Sequence, residues 1–150
     1  MKVSVGDKAP DFTLKDKSGN IFHLAEKLGY GPLVIYFYPK DGTPGCTTQA
    51  CAYRDSYQDF KDAGAEVIGI SSDHEESHLY FASRYSLPFI LLSDDGGKVR
   101  KLFGVPRTLG LLPGRVTYVL DGTGVVRYIF NSQSKVKEHA EKALEMIRTL

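Results

Sequence analysis

The sequence predicts an α/β fold in one domain spanning residues 1–150, with a central mixed sheet flanked by helices and a β-hairpin added at the N-terminus. Three observations carry this. Two short, largely apolar runs, Leu33–Tyr38 and Val67–Ser71, have the character of strands buried on both faces. Between them lies an amphipathic stretch, so strand, helix and strand form a βαβ unit with parallel strands and a right-handed crossover. Alternating segments separated by turn residues stand before and after that unit and read as hairpins.

The elements follow in order. Phe12–Asp16 and Asn20–Leu24 flank Lys17-Ser18-Gly19 and make the first hairpin, after a loosely ordered lead-in through Pro10. Tyr30-Gly31-Pro32 breaks the chain ahead of the central strand. The helix after it shows its buried stripe in Cys46, Ala50, Tyr53, Tyr57 and Phe60, with Gly64 as its C′ residue. Asp73 is placed to cap a second helix running to about Tyr85, with Glu76 completing a capping box, and Pro88 closes that segment. Phe89–Ser93 is a further strand, and Asp94-Asp95-Gly96 turns into a brief helix ending near Gly104. Leu109–Gly114 reads as a loop, Val116–Leu120 and Val125–Phe130 as an antiparallel hairpin, and Lys135–Arg148 as the last helix. The order matches a thioredoxin-like fold with added elements, although other α/β folds can use it.

Composition excludes several classes of function. A formal net charge of +1 gives no footprint for nucleic acid or an anionic membrane surface. The longest apolar run is far too short for a membrane span, and Met1–Asp7 lacks the apolar core of a signal peptide. The expected location is cytoplasmic, with the chloroplast as the alternative if a transit peptide has been removed. Two cysteines do not make a disulfide framework, and their spacing fails the usual zinc patterns. His23, His74, His78 and His139 are scattered and read as solvated surface residues, with metal binding the weaker reading.

Chemistry concentrates in Pro39–Cys51. Thr43 is a good N-cap and Pro44 suits the first helical position, which puts Cys46 in the first turn. Unpaired amides and the helix dipole favour an anion there, and the thiolate is the nucleophilic form of cysteine. Gly45 allows close approach to the backbone. A bland reading stands beside this: Cys46 is a core residue and Thr43 only a cap. Arg115, at the start of a strand, reads by itself mainly as a solvated or ion-paired end.

Pro39, Thr43 and Cys46 reproduce the P-x-x-x-T-x-x-C signature, and in it the chain resembles the peroxiredoxins. The run Tyr36–Asp41, Thr43–Cys46 and Gln49–Cys51, continued in Arg54–Tyr57, Val67–Ser71, Leu92–Asp94 and Leu112–Tyr118, is similar to the peroxiredoxin Q, or bacterioferritin comigratory protein, branch, in particular its plant and cyanobacterial members. The resemblance implies a peroxidase for hydrogen peroxide and organic hydroperoxides, serving antioxidant defence and using no metal, haem or flavin. In it Cys46 is the peroxidatic cysteine. Thr43 binds the peroxide with help from the Gly45 and Cys46 amides, Pro39 shields the thiolate, and Arg115 stabilises it. Cys51 is implied as the resolving cysteine, closing an intramolecular disulfide that thioredoxin or a similar dithiol protein reduces. The branch also implies a monomer. Two rivals remain: a thiol–disulfide oxidoreductase, whose usual C-x-x-C is absent, and a non-enzymatic binding domain with buried or redox-sensing cysteines.

Overall fold

The computed structural model describes residues 2–107 and 113–150, so most of the expected Leu109–Gly114 loop lies outside the described residues. The strands are β1 (Thr13–Asp16), β2 (Ile21–His23), β3 (Leu33–Phe37), β4 (Glu66–Ser71), β5 (Ile90–Ser93), β6 (Val116–Leu120) and β7 (Val126–Asn131). Among the described residues they form one seven-stranded sheet in the order β2-β1-β5-β4-β3-β6-β7. The expected crossover is present: β3 pairs parallel with β4, and β4 with β5. β6 returns antiparallel on the other side of β3, β7 extends it, and β1 joins β5 antiparallel, which makes the sheet mixed as expected.

Strand β3 explains why the sheet is covered on both faces. Its side chains alternate, so Val34 and Tyr36, with Tyr38 beyond it, face one layer while Leu33, Ile35 and Phe37 face the other, all buried. The first layer holds α1 (Pro44–Asp55), α2 (Tyr57–Asp62), α3 (Glu75–Tyr85) and α5 (Glu138–Ile147), through Cys46, Ala50, Tyr53, Phe60, Phe81 and Ile147. The second holds α4 (Lys98–Phe103) and the N-terminal segment, through Val99, Phe103, Phe12 and Phe22. Aromatic stacking stiffens the first layer: the rings of Tyr36 and Tyr53 lie 4.4 Å apart at 18°.

Three local expectations change. The helix predicted to run from Cys46 past Phe60 is two helices, because Ser56 (φ −99°, ψ 2°) leaves helical geometry between them. Just past this break the Tyr57 hydroxyl donates to Glu66 at the start of β4 (2.8 Å). Asp73 does not cap α3, whose N-cap is His74. Its carboxylate instead accepts from Ser71 and from the Asp41 amide. The last helix begins at Glu138 rather than Lys135 and buries the expected Ala140, Ala143 and Ile147.

Candidate active site

The central strand ends at Phe37, and the loop after it carries the chain into α1 beyond the carboxyl end of the sheet, where open α/β sheets place their ligands. Gly42 turns this loop at φ +78°, a conformation that needs no side chain. Thr43 is extended and holds the N-cap position, with Pro44 as the first helical residue. Its hydroxyl does not cap. It donates to the Lys40 carbonyl at 2.9 Å, so its oxygen keeps its lone pairs for an incoming donor.

Cys46 sits in the first turn of α1, 1% exposed, its sulfur 3.5 Å from Nη1 of Arg115. Arg115 is itself only 4% exposed, so the solvated strand end that sequence allowed is not what forms. The same Nη1 donates to Oε1 of Gln49 at 2.6 Å, and Nε donates to the Gln133 carbonyl at 3.1 Å. Gly45 makes room for this guanidinium, since a Cβ there would stand 3.1 Å from Nη2. Arginine only donates, so the Gln49 amide must turn its oxygen toward Arg115. Its buried nitrogen then has no partner among the described residues.

The structure thus gathers Gly45, Cys46 and Arg115, with Thr43 and the half-buried Pro39 on the loop just before them. Cys51 is not gathered with them. It lies further along the same unbroken helix, part-exposed in a cleft between α1 and α5 lined by Thr48, Asp55, Lys137 and Glu141, and both thiols are free.

Sequence reasoning missed the groups that hold the site in place. Asp41 anchors the loop from inside: its amide donates to Asp73, and its carboxylate accepts from Tyr38 (2.6 Å) and Ser77 (2.9 Å) and faces Nδ1 of His78 (2.7 Å). His78 is fully buried, contrary to its expected place on the surface, because its other nitrogen meets the Leu92 carbonyl at 2.9 Å. Asp41, Asp73 and His78 bring ligand atoms within 4.8 Å of one another, but those atoms are engaged in these bonds rather than turned toward an open position. Arg100 ties two loops together, donating to the carbonyls of Tyr38 (2.9 Å) and Gly114 (2.8 Å), the residues just before Pro39 and Arg115. His139 is buried as well, against the expected solvated place, and burial pushes its imidazole down to about 4. His74 is exposed and His23 half-exposed, as expected of surface residues.

Comparison with known proteins places the chain as a whole. Residues 5–129 match the AhpC/TSA family. Peroxiredoxin Q, chloroplastic, of Oryza sativa subsp. japonica is 57% identical over 150 residues, covering 99% of this chain and 69% of that one. The Arabidopsis thaliana protein of the same name is 57% identical over 148 residues, covering 98% and 68%. Among solved structures, Peroxidoxin BcpB from Mycobacterium tuberculosis superposes with a TM-score of 0.90 at 38% identity, covering 97% of each chain. Xanthomonas campestris Peroxiredoxin Q superposes with a TM-score of 0.85 at 31% identity, covering 92% and 90%. The thioredoxin-like fold expected from element order is therefore the one present. The expected cytoplasmic location is overturned, because both plant relatives are named chloroplastic. With the family matched over most of its length and relatives more than half identical along nearly all of it, the chain belongs to the AhpC/TSA family, as one of its thiol-dependent peroxidases, the peroxiredoxins.

Proposed function

We propose that Cys46 is the peroxidatic cysteine, Cys51 the resolving one, and that the chain reduces hydrogen peroxide and organic hydroperoxides at the expense of a thioredoxin-type dithiol. The observation that carries this is the Arg115 guanidinium 3.5 Å from a buried sulfur in the first turn of a helix. Both features belong to the surroundings in which cysteines act as nucleophiles.

The Cys46 thiolate attacks the terminal oxygen of the peroxide. The S–O bond forms as the O–O bond breaks, and the alkoxide or hydroxide leaves with a proton taken from solvent. Cys46 is then a sulfenic acid. Thr43, whose own proton is committed to Lys40, accepts the hydrogen of the peroxide and orients it. The amides of Gly45 and Cys46 and the guanidinium of Arg115 face the charge moving onto the departing oxygen, while Pro39 shields the thiolate from water. In the second half-reaction the Cys51 sulfur attacks the sulfenic sulfur, water leaves and a disulfide forms. An external dithiol then reduces it, which gives ping-pong kinetics. The reading includes no cofactor, nucleic acid or membrane, and a chain that works as a monomer, as one domain, in a chloroplast setting.

Peroxide consumption with a thioredoxin system, run on three proteins, tests it. Wild type turns over. Cys46→Ser is inactive. Cys51→Ser consumes about one equivalent per chain and stops at the sulfenic acid. Steady turnover by Cys46→Ser would remove Cys46 from the chemistry.

A further inference from the structure

Two buried imidazoles take no part in the chemistry above: His78 anchors the Asp41 loop, and His139 is still without a role. His139 lies in the first turn of α5 and is fully enclosed, edge-on to the Phe130 ring at 4.8 Å. Burial chiefly, with a smaller contribution from the nearby Arg115 charge, lowers its pKa to about 4, so near neutral pH it carries a single ring proton. The position of that proton follows from its neighbours. Nε2 lies 2.7 Å from the Ser132 carbonyl, which can only accept, so the proton is on Nε2. Nδ1 therefore accepts, and the Thr117 hydroxyl at 2.9 Å must donate to it. Thr117 has then spent its one hydrogen, so the Tyr53 hydroxyl at 2.8 Å must donate to Thr117. The chain has one direction only, from Tyr53 on α1 through Thr117 and His139 to the Ser132 carbonyl.

The receiving end grips Arg115. The amide of Ser132 donates to the Arg115 carbonyl (3.3 Å), and the Gln133 carbonyl accepts from Arg115 Nε (3.1 Å). The peptide plane joining Ser132 to Gln133 sits between these two contacts, and because it is rigid, holding its one carbonyl fixes its tilt. Nε2 of His139 holds that carbonyl. We propose that His139 is a positioning residue for peroxide reduction: through the Ser132–Gln133 peptide it sets the angle at which Arg115 presents its guanidinium to Cys46. This rests on the role given to Arg115 above.

The measurement is the peroxide arm against the reductant arm of the ping-pong cycle, meaning kcat/KM for hydrogen peroxide and kcat/KM for thioredoxin. His139→Phe keeps a flat aromatic ring, one heavy atom larger, and removes both hydrogen bonds. The peroxide arm should slow about tenfold, the low end of what losing an outer hydrogen-bond partner does at a reactive centre. The reductant arm should hold, since Arg115 has no part in it. In an Arg115→Ala background, adding His139→Phe should slow the peroxide arm no further, because residues acting as one unit are not additive. Thr117→Val removes the hydroxyl that fixes the ring's direction and carries the same expectation at smaller size should His139→Phe not fold. Equal losses on both arms, or a loss that persists undiminished without Arg115, would overturn the proposal. An Arg115→Ala protein with an unchanged peroxide arm would instead overturn the role of Arg115, and the proposal with it.

Discussion

At the scale of single residues, a buried neutral histidine makes stability depend on pH. The folded imidazole of His139 takes up a proton only near pH 4, whereas in the unfolded chain it does so near its ordinary 6.5. Between these values the unfolded state binds more protons, so stability is full above about 6.5 and falls as pH drops toward 4. At roughly 1.4 kcal/mol per pKa unit the loss is on the order of 3 kcal/mol. Urea unfolding across this window should show the fall in wild type and a shallower one in His139→Phe; parallel curves would mean the ring does not titrate this way. Pro39, Thr43 and Cys46 could be picked from sequence because a spacing pattern marks them, and Arg115 only through the family resemblance. Gln49, Arg100 and His139 could not. An amide three residues from Cys46 reads as ordinary helix, and the partners of Arg100 and His139 are largely backbone carbonyls, which leave no trace in side-chain identity.

At the scale of elements, α1 sets a geometric problem. Residues five apart in a regular helix have Cα atoms about 8–9 Å apart and point about 140° away from each other. A disulfide tolerates about 7 Å and needs facing Cβ vectors. Cys46 and Cys51 belong to one unbroken helix, so closing the bond requires the first turns to leave helical geometry. The break at Ser56 gives the unwinding an end point, because α2 starts beyond it and is held by the buried Phe60. Amide hydrogen exchange should lose protection from Cys46 to Tyr53 on oxidation and keep it in α2. Unchanged protection in a verified Cys46–Cys51 disulfide would contradict this. The strands and most helices were legible because apolar periodicity records burial. The diversion of Asp73 from capping was not, since it depends on a partner brought close only by folding, the Asp41 amide; nor was the break at Ser56, which no breaking residue marks.

At the scale of the whole molecule, the layer containing Cys46 is packed without slack around the middle of the sheet. Gly69 of β4 shows how tightly: a Cβ there would lie 2.9 Å from Leu91 Cδ2 and 2.9 Å from Tyr36 Cζ. Tyr36 is stacked on Tyr53, so pressure from strand β4 is passed to α1. Gly69→Ala should therefore destabilise the fold by about 1–3 kcal/mol, the usual range for overpacking. Urea titration reads this directly, and an unaltered midpoint would show that the core has room to give.

The placing of both cysteines on α1 also bears on how a spent molecule is recognised. A partner favours one of two forms only by the difference in its affinity for them. Sulfur chemistry alone changes two atoms, a small handle for a protein surface. An opened α1 changes the shape of the cleft between α1 and α5 and frees backbone groups that the closed helix keeps to itself. A reductant that docks on the opened segment reads outline rather than oxidation state. It passes over reduced molecules, which would otherwise compete for it in proportion to their abundance, and lets go once the helix re-forms.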